Sequence, residues 1–241
     1  MEVAEGLAAD GAEAAVLVGS HARGDAGPAS EVDVLAVGRR TYAFRLERRG
    51  GLLVSVTSRS PEAYRRELAG PGSVCAAVPG WREAVVLHDP AGTAASLVEE
   101  ALAWTWGPLE GRCDAWVAEE VCSLAEEVHK LSASLRDGRR ATAAAQRSVL
   151  AVRLAGVMAV HRRILYGSEN RLWDLVGEAM GEGWVMAQSV ALGLDDEGFE
   201  ETCRAALGLY GLAVDDVDHL FDERKQRVVR HARELGDLAD G

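Results

Sequence analysis

The stretch GSHARGDAGPASEVD, residues 19–33, decides the fold of this chain. An apolar run with the composition of a buried strand, residues 15–18, precedes it, and a second such run follows at residues 32–37. Gly19 and Ser20 therefore lie where the chain leaves the first strand and turns into a short helical segment. Backbone N–H groups and a hydroxyl at such a turn form an anion site suited to phosphate.

Two carboxylates end the same stretch. Glu31 and Asp33 are two positions apart, so alternation along a strand places both on one face of the sheet. There the two charges repel each other unless a cation lies between them. A phosphate cradle beside paired carboxylates predicts a site for Mg²⁺ and a nucleoside triphosphate.

The spacing of this stretch resembles the signature of the DNA polymerase β-like nucleotidyltransferase superfamily, Gly-Ser-x-Ala-x-Gly-x₅-Ser-Asp-x-Asp. The matching positions are Gly19, Ser20, Ala22, Gly24, Ser30 and Asp33, and Arg23 is also a common choice at its place. The resemblance implies that Glu31 and Asp33 bind the metal and act in catalysis. It also implies a nucleotide-binding set made of Gly19, Ser20, Arg23 and Ser30.

Two features depart from that signature. Glu31 stands where the family has aspartate, and its extra methylene moves the carboxylate outward by about 1.5 Å. Such a shift weakens an octahedral Mg²⁺ site or turns its preference towards Mn²⁺. Active relatives carry a third acid on the next strand, but the run at residues 52–57 offers only Leu53 or Ser55 there. Glu47 lies upstream in an arginine-rich turn and would have to reach in.

Because the third acid is missing, the signature does not identify the residue that acts as general base. In some relatives that modify aminoglycosides the base comes from the helical domain, whose first helix here offers the acids Glu119, Glu120, Glu126 and Glu127. Glu126 lies four residues before Lys130, which is the spacing of an exposed helix pair. We take Glu127 as the candidate base. The alternative is a degenerate member that binds a nucleotide or another ligand without transfer.

The chain changes from short β-branched runs to helical periodicity near residue 95. We predict an α/β nucleotidyltransferase domain with a small mixed sheet at residues 1–95, followed by an all-α helical bundle at residues 96–241. Long helices are expected at residues 117–135, 141–165 and 214–235.

The charge and hydropathy of the chain limit the classes of partner that it is expected to bind. The net charge is −12, and residues 96–241 carry most of it, with 16 basic against 26 acidic residues. A negative surface disfavours stable nucleic-acid binding and favours a cationic partner. The longest apolar stretch, Val149–Val160, contains Arg153 and is shorter than the ~20 residues of a membrane span. Because the first residues are acidic, unlike a signal peptide, we expect a cytoplasmic protein without a membrane partner; a homodimer is compatible with the sequence.

The resemblance implies an enzyme that moves AMP from ATP to a hydroxyl group of a small acceptor, such as an aminoglycoside. The acidic charge of the helical half favours a cationic acceptor. A transferase that modifies a protein partner is a third alternative, against which the long helical half counts. Arg224 and His231 have the spacing of helical toxin ribonucleases, but the basic run at residues 224–227 is explained more simply as the basic end of a helix.

Overall fold

The computed structural model describes residues 2–38 and 43–237. Arg39 and Arg40, which belong to the arginine-rich turn predicted above, lie outside these residues. The chain forms two compact units. Unit 1 comprises residues 1–107 and 165–169, and unit 2 comprises residues 108–164 and 170–241.

Unit 1 is a five-stranded sheet with helices. Its elements in chain order are α1 (Glu2–Ala9), β1 (Ala14–Val18), α2 (Gly19–Arg23), β2 (Val32–Val37), β3 (Phe44–Arg49), β4 (Leu52–Arg59), α3 (Pro61–Leu68), α4 (Val74–Arg82), β5 (Val85–His88) and α5 (Thr93–Ala103). The strands lie in the order β3-β4-β2-β1-β5. β2 is parallel to β4, and the other neighbours are antiparallel. The small mixed sheet predicted from the sequence is confirmed.

The core of unit 1 holds the central strands in register. Its buried apolar cluster consists of Leu7, Ala12, Ala15, Val34, Ala36, Val54 and Val56. Helix α3 begins as its sequence predicts, since Ser60 Oγ accepts a hydrogen bond from the Ala63 N–H at 3.2 Å and Pro61 is the first helical residue. The buried Tyr64 hydroxyl of α3 donates to the Ala36 carbonyl of β2 at 3.2 Å. These contacts fix β2, which carries Asp33.

Strand β3 was not predicted. The sequence predicts an arginine-rich turn at residues 44–49, but these residues pair with β4 from Phe44 opposite Thr57 to Arg49 opposite Leu52. The strand lies at the edge of the sheet, where polar side chains on both faces and pairing on one side are tolerated. The three arginines and the glutamate of this segment therefore obscured a strand that the alternation of Phe44 and Leu46 supports.

The first unit extends past residue 95. Helix α5 begins at Thr93, so a boundary after residue 95 falls inside it. Leu97 and Ala101 of α5 are buried, and Glu100 pairs with Arg65 of α3 at 2.9 Å. These contacts make α5 part of unit 1, which extends to residue 107 and also includes residues 165–169.

Unit 2 is built from helices, as predicted. They are α6 (Glu110–Arg136), α7 (Arg140–His161), α8 (Leu172–Met180), α9 (Glu182–Leu192), α10 (Phe199–Val217) and α11 (Glu223–Asp237). The stripe predicted along α6 is its buried face from Val117 to Leu131. Helix α7 is long and apolar enough to cross a membrane by length and composition, but half of its apolar stretch is buried inside the protein. Its Leu150, Leu154 and Met158 are core residues.

The last predicted helix was wrong in two ways. Residues 214–235 are not one helix, because α10 ends at Val217 and α11 begins at Glu223 after a turn. The basic run 224–227 consequently lies at the start of α11, the opposite end from the one expected. Asp222, just before α11, accepts a hydrogen bond from the Lys225 N–H at 2.8 Å and marks this start.

Candidate active site

The Gly19 turn lies directly against the carboxylate of Asp33. β1 ends at Val18 and α2 begins at Gly19, whose φ of +71° is in the left-handed region that favours glycine. A Cβ atom at this position would lie 2.7 Å from Asp33 Oδ2. Any other residue would therefore have to displace the carboxylate. The structure brings together the turn and the acid that the sequence placed fourteen residues apart.

Asp33 lies in the middle of the sheet, between β1 and β4. It is paired with Val18 on one side and with Ser55 on the other. The Ser55 hydroxyl donates a hydrogen bond of 2.5 Å to Asp33 Oδ1. Of the two residues considered for the third acid, Ser55 is thus the one beside Asp33, while Leu53 pairs with Arg48 of β3. The residue beside Asp33 on β4 is therefore a neutral hydrogen-bond donor, not an acid.

Glu47 does not replace that acid. It lies on β3, where Leu46 is the residue opposite Ser55. Because neighbouring residues of a strand point to opposite faces, Glu47 lies on the other face of the sheet from Asp33. Its carboxylate is also held by two arginines, Arg45 and Arg49, each at 3.2 Å.

The other residues of the motif shape the connection between α2 and β2. Glu31 is exposed and lies just before β2, which begins at Val32. Ser30 closes the loop, since its Oγ accepts from the Gly27 N–H at 2.9 Å and its own N–H donates to the Gly27 carbonyl at 3.0 Å. The Nε2 atom of His21 on α2 is buried without a hydrogen-bond partner among the described residues.

Arg23 has partners that the sequence could not indicate. Its Nη1 donates to the Gly167 carbonyl at 2.6 Å, its Nε donates to Asp25 at 3.1 Å, and Glu83 lies 3.6 Å from Nη1. The returning segment 165–169 is held to unit 1 a second time, by the Tyr166 N–H donating to the Cys75 carbonyl at 2.9 Å. Arg23 therefore ties α2 to this segment, in addition to the nucleotide-binding role that its motif position implies.

Glu127, the candidate base, belongs to unit 2. It lies on α6 with a side chain 18% exposed, and Lys130 Nζ is 3.5 Å from its carboxylate. Glu126 makes the closer pair with Lys130, at 2.8 Å. The exposed helix pair expected from the spacing is thus present, and Glu127 shares the same lysine.

Asp33 and Glu31 are the residues of this site that could hold a metal ion together with a nucleotide. Mg²⁺ commonly binds through one or two carboxylates together with substrate phosphates and water. Asp33 Oδ2 lies against the Gly19 turn, and Glu31 is two residues away along the chain. In residues 2–38 and 43–237 no group of three or more His, Cys, Asp or Glu is placed to hold a metal by protein ligands alone.

Comparison with known proteins finds a family match over part of the chain and a likeness to a solved structure. Residues 1–73 match the model of the nucleotidyltransferase domain. No curated protein matches the chain. A solved structure, the nucleotidyltransferase-like protein from Exiguobacterium sibiricum 255-15, is similar with a TM-score of 0.54 and 15% identity, over 88% of this chain and 71% of that chain. The matched residues 1–73 contain every predicted nucleotide-binding and metal-binding residue, and Glu127 lies outside them.

Proposed function

We propose that this chain, whose N-terminal unit is a nucleotidyltransferase domain of the DNA polymerase β-like superfamily, transfers AMP from ATP to a hydroxyl group of a small cationic acceptor. The contact between the Gly19 turn and the Asp33 carboxylate supports this proposal most strongly. It brings a glycine turn, of the kind that can bind phosphate through backbone N–H groups, next to a carboxylate that could hold a metal ion. Family membership alone supports nucleotidyl transfer in general.

In this proposal the Gly19–Ser20 turn binds the β- and γ-phosphates through backbone N–H groups and the Ser20 hydroxyl. Asp33 and Glu31 hold Mg²⁺ or Mn²⁺, which when bound neutralises charge on the phosphates. Asp33 is oriented for this by Ser55, whose 2.5 Å hydrogen bond occupies Oδ1. Oδ2, on the side of Gly19, remains for the metal.

The transfer step joins the acceptor oxygen to the α-phosphorus. The bond between that phosphorus and the bridging oxygen of the β-phosphate breaks, pyrophosphate leaves, and the hydroxyl proton passes to a base. Glu127 is the base of this proposal, because Ser55 cannot take a proton at neutral pH. The acidic excess of residues 96–241 favours a cationic acceptor.

A second candidate function is nucleotide binding without transfer. One observation favours it: Ser55, a neutral residue, occupies the position beside Asp33 where active relatives carry an acid. The two functions share the triphosphate site and differ in the base.

A transfer assay distinguishes the two functions. ATP labelled at the α-phosphate is incubated with Mg²⁺ or Mn²⁺ and a panel of aminoglycosides, and the label joined to acceptor and the pyrophosphate released are counted. The proposal predicts transfer that falls by about 10²–10⁴ in Glu127→Gln, with Glu126→Gln as the matched control on the same turn of α6. ATP binding without pyrophosphate release for any acceptor supports the binding function instead.

A further inference from the structure

A cleft of about 550 Å³ lies between α6 and α11 of unit 2, within the size range of small-molecule sites. Its apolar lining comes from Ala125, Val228, Ala232 and Leu235. Cys122 adds a thiol whose pKa is raised by burial, so that it stays neutral at physiological pH. Nothing in the proposed transfer reaction uses this cleft.

Basic side chains surround the apolar lining. Arg224 and Arg227 of α11 line the cleft with the imidazoles of His129 and His231. In the part of the chain that the structure describes, the guanidinium groups of Arg224 and Arg227 make no hydrogen bond or ion pair.

The acid at this cleft does not offset the two arginines. Glu126 lines it, and its carboxylate accepts from Lys130 Nζ at 2.8 Å. That lysine lowers the pKa of Glu126 and compensates its charge. With the charge of Glu126 compensated, the lining of the cleft keeps the positive charge of Arg224 and Arg227, in a chain whose net charge is −12.

The position of the two arginines on their helix is unfavourable in the free protein. α11 begins at Glu223, so Arg224 lies in its first turn and Arg227 in the next. Positive charge near a helix N-terminus opposes the helix dipole. An anion bound between the guanidinium groups would remove this penalty, while apolar surface alone would not.

We propose that this cleft binds a small amphipathic anion, in which a carboxylate, sulfonate or phosphate head is joined to an apolar body. The head pairs with Arg224 and Arg227, and the body lies on Val228, Ala232 and Leu235. The proposal does not depend on the nucleotidyltransferase function.

The test uses the full chain and the fluorescent anion 8-anilinonaphthalene-1-sulfonate as probe, followed by competition with dodecanoate. Replacing Arg224→Gln or Arg227→Gln raises the probe Kd about threefold each, and about tenfold together. Val228→Asp, a change at a residue 42% exposed, abolishes binding at this cleft. Arg230→Gln is the matched control, because Arg230 is exposed on the same helix and does not line the cleft.

Dodecanoate is expected to displace the probe from the wild type and from Arg230→Gln. Circular dichroism checks that each variant keeps its helices. Equal probe affinity in the wild type, the double arginine variant and Val228→Asp would place the probe elsewhere and overturn the proposal. Displacement by inorganic phosphate as readily as by dodecanoate would also overturn it, because the apolar lining would then contribute nothing.

Discussion

Restoring an acid beside Asp33 gives the sharpest test of the site geometry. Ser55→Asp removes the 2.5 Å hydrogen bond to Asp33 and puts a second carboxylate at the same point of the sheet. Two carboxylates about 4 Å apart repel each other by about 4 kcal/mol at an effective dielectric constant of about 20. Asp33 and Ser55 are only partly buried, so solvent screening reduces the repulsion to about 2 kcal/mol.

The consequence is a protein that depends on metal for stability. In chelator, Ser55→Asp should lower the Tm by about 6 °C, since each kcal/mol shifts a protein of this size by about 2–4 °C. Mg²⁺ at about one hundred times its Kd should return about 2.7 kcal/mol, because the paired acids bind it in the folded state alone. The assay is thermal unfolding of both proteins in chelator and in a Mg²⁺ series.

Leu52→Asp is the matched control for this experiment. Leu52 is 43% exposed, pairs with Arg49 and lies on the other face of the sheet from Asp33, so its new carboxylate does not meet Asp33. Its Tm should not respond to Mg²⁺. Two results would refute the placement of Ser55 beside Asp33. One is a Tm of Ser55→Asp in chelator equal to that of the wild type, and the other is a lowered Tm that Mg²⁺ does not raise.

Three further outcomes are expected. Gly24→Ala, which has a positive φ but open space around it, should lose about 1 kcal/mol of unfolding free energy in urea. Gly19→Ala should lose about 1–3 kcal/mol beyond that, because its Cβ would also meet the Asp33 carboxylate; equal losses would contradict the close contact at Gly19. Arg23→Ala should lower the unfolding free energy by about 1–3 kcal/mol, because the Gly167 carbonyl loses its donor; a change in ATP affinity alone would show that this tie contributes nothing. Burial lowers the pKa of His161, so the unfolded state binds more protons and stability should fall as the pH drops below about 6.5; His161→Gln should flatten this dependence in urea titrations at several pH values.

The sequence was sufficient for the elements that carry the motif. β1, α2 and β2 follow from an apolar run, a glycine turn and a second apolar run, each a local signal. The contact of Gly19 with Asp33 follows from the pairing of β1 with β2, which the short connection between them favours. The family resemblance named Leu53 or Ser55 as the residue in the place of the third acid, and the parallel pairing of β2 with β4 in the structure puts Ser55 beside Asp33.

The features that the sequence could not indicate have two causes. Some depend on contacts between residues far apart in the chain, and others have local patterns that resemble a different element. β3 carries charged side chains on an edge, so its composition suggested a turn. The tie from Arg23 to Gly167 joins residues far apart in the chain, which periodicity cannot register. A short turn separates α10 from α11, although the apolar periodicity runs on from one helix to the other. Because of this break, Arg224 lies near the start of a helix and not near its end.

The most direct test of the triphosphate site is calorimetric titration of a non-hydrolysable ATP analogue into the full chain, with Mg²⁺, with Mn²⁺ and with chelator. The same titrations are made on Asp33→Asn and on Asp25→Asn, an exposed acid of the α2–β2 connection that serves as control. We predict metal-dependent binding to the wild type and to Asp25→Asn, and its loss in Asp33→Asn. Absence of binding with either metal, or equal binding to Asp33→Asn, would contradict a metal–triphosphate site at Gly19 and Asp33.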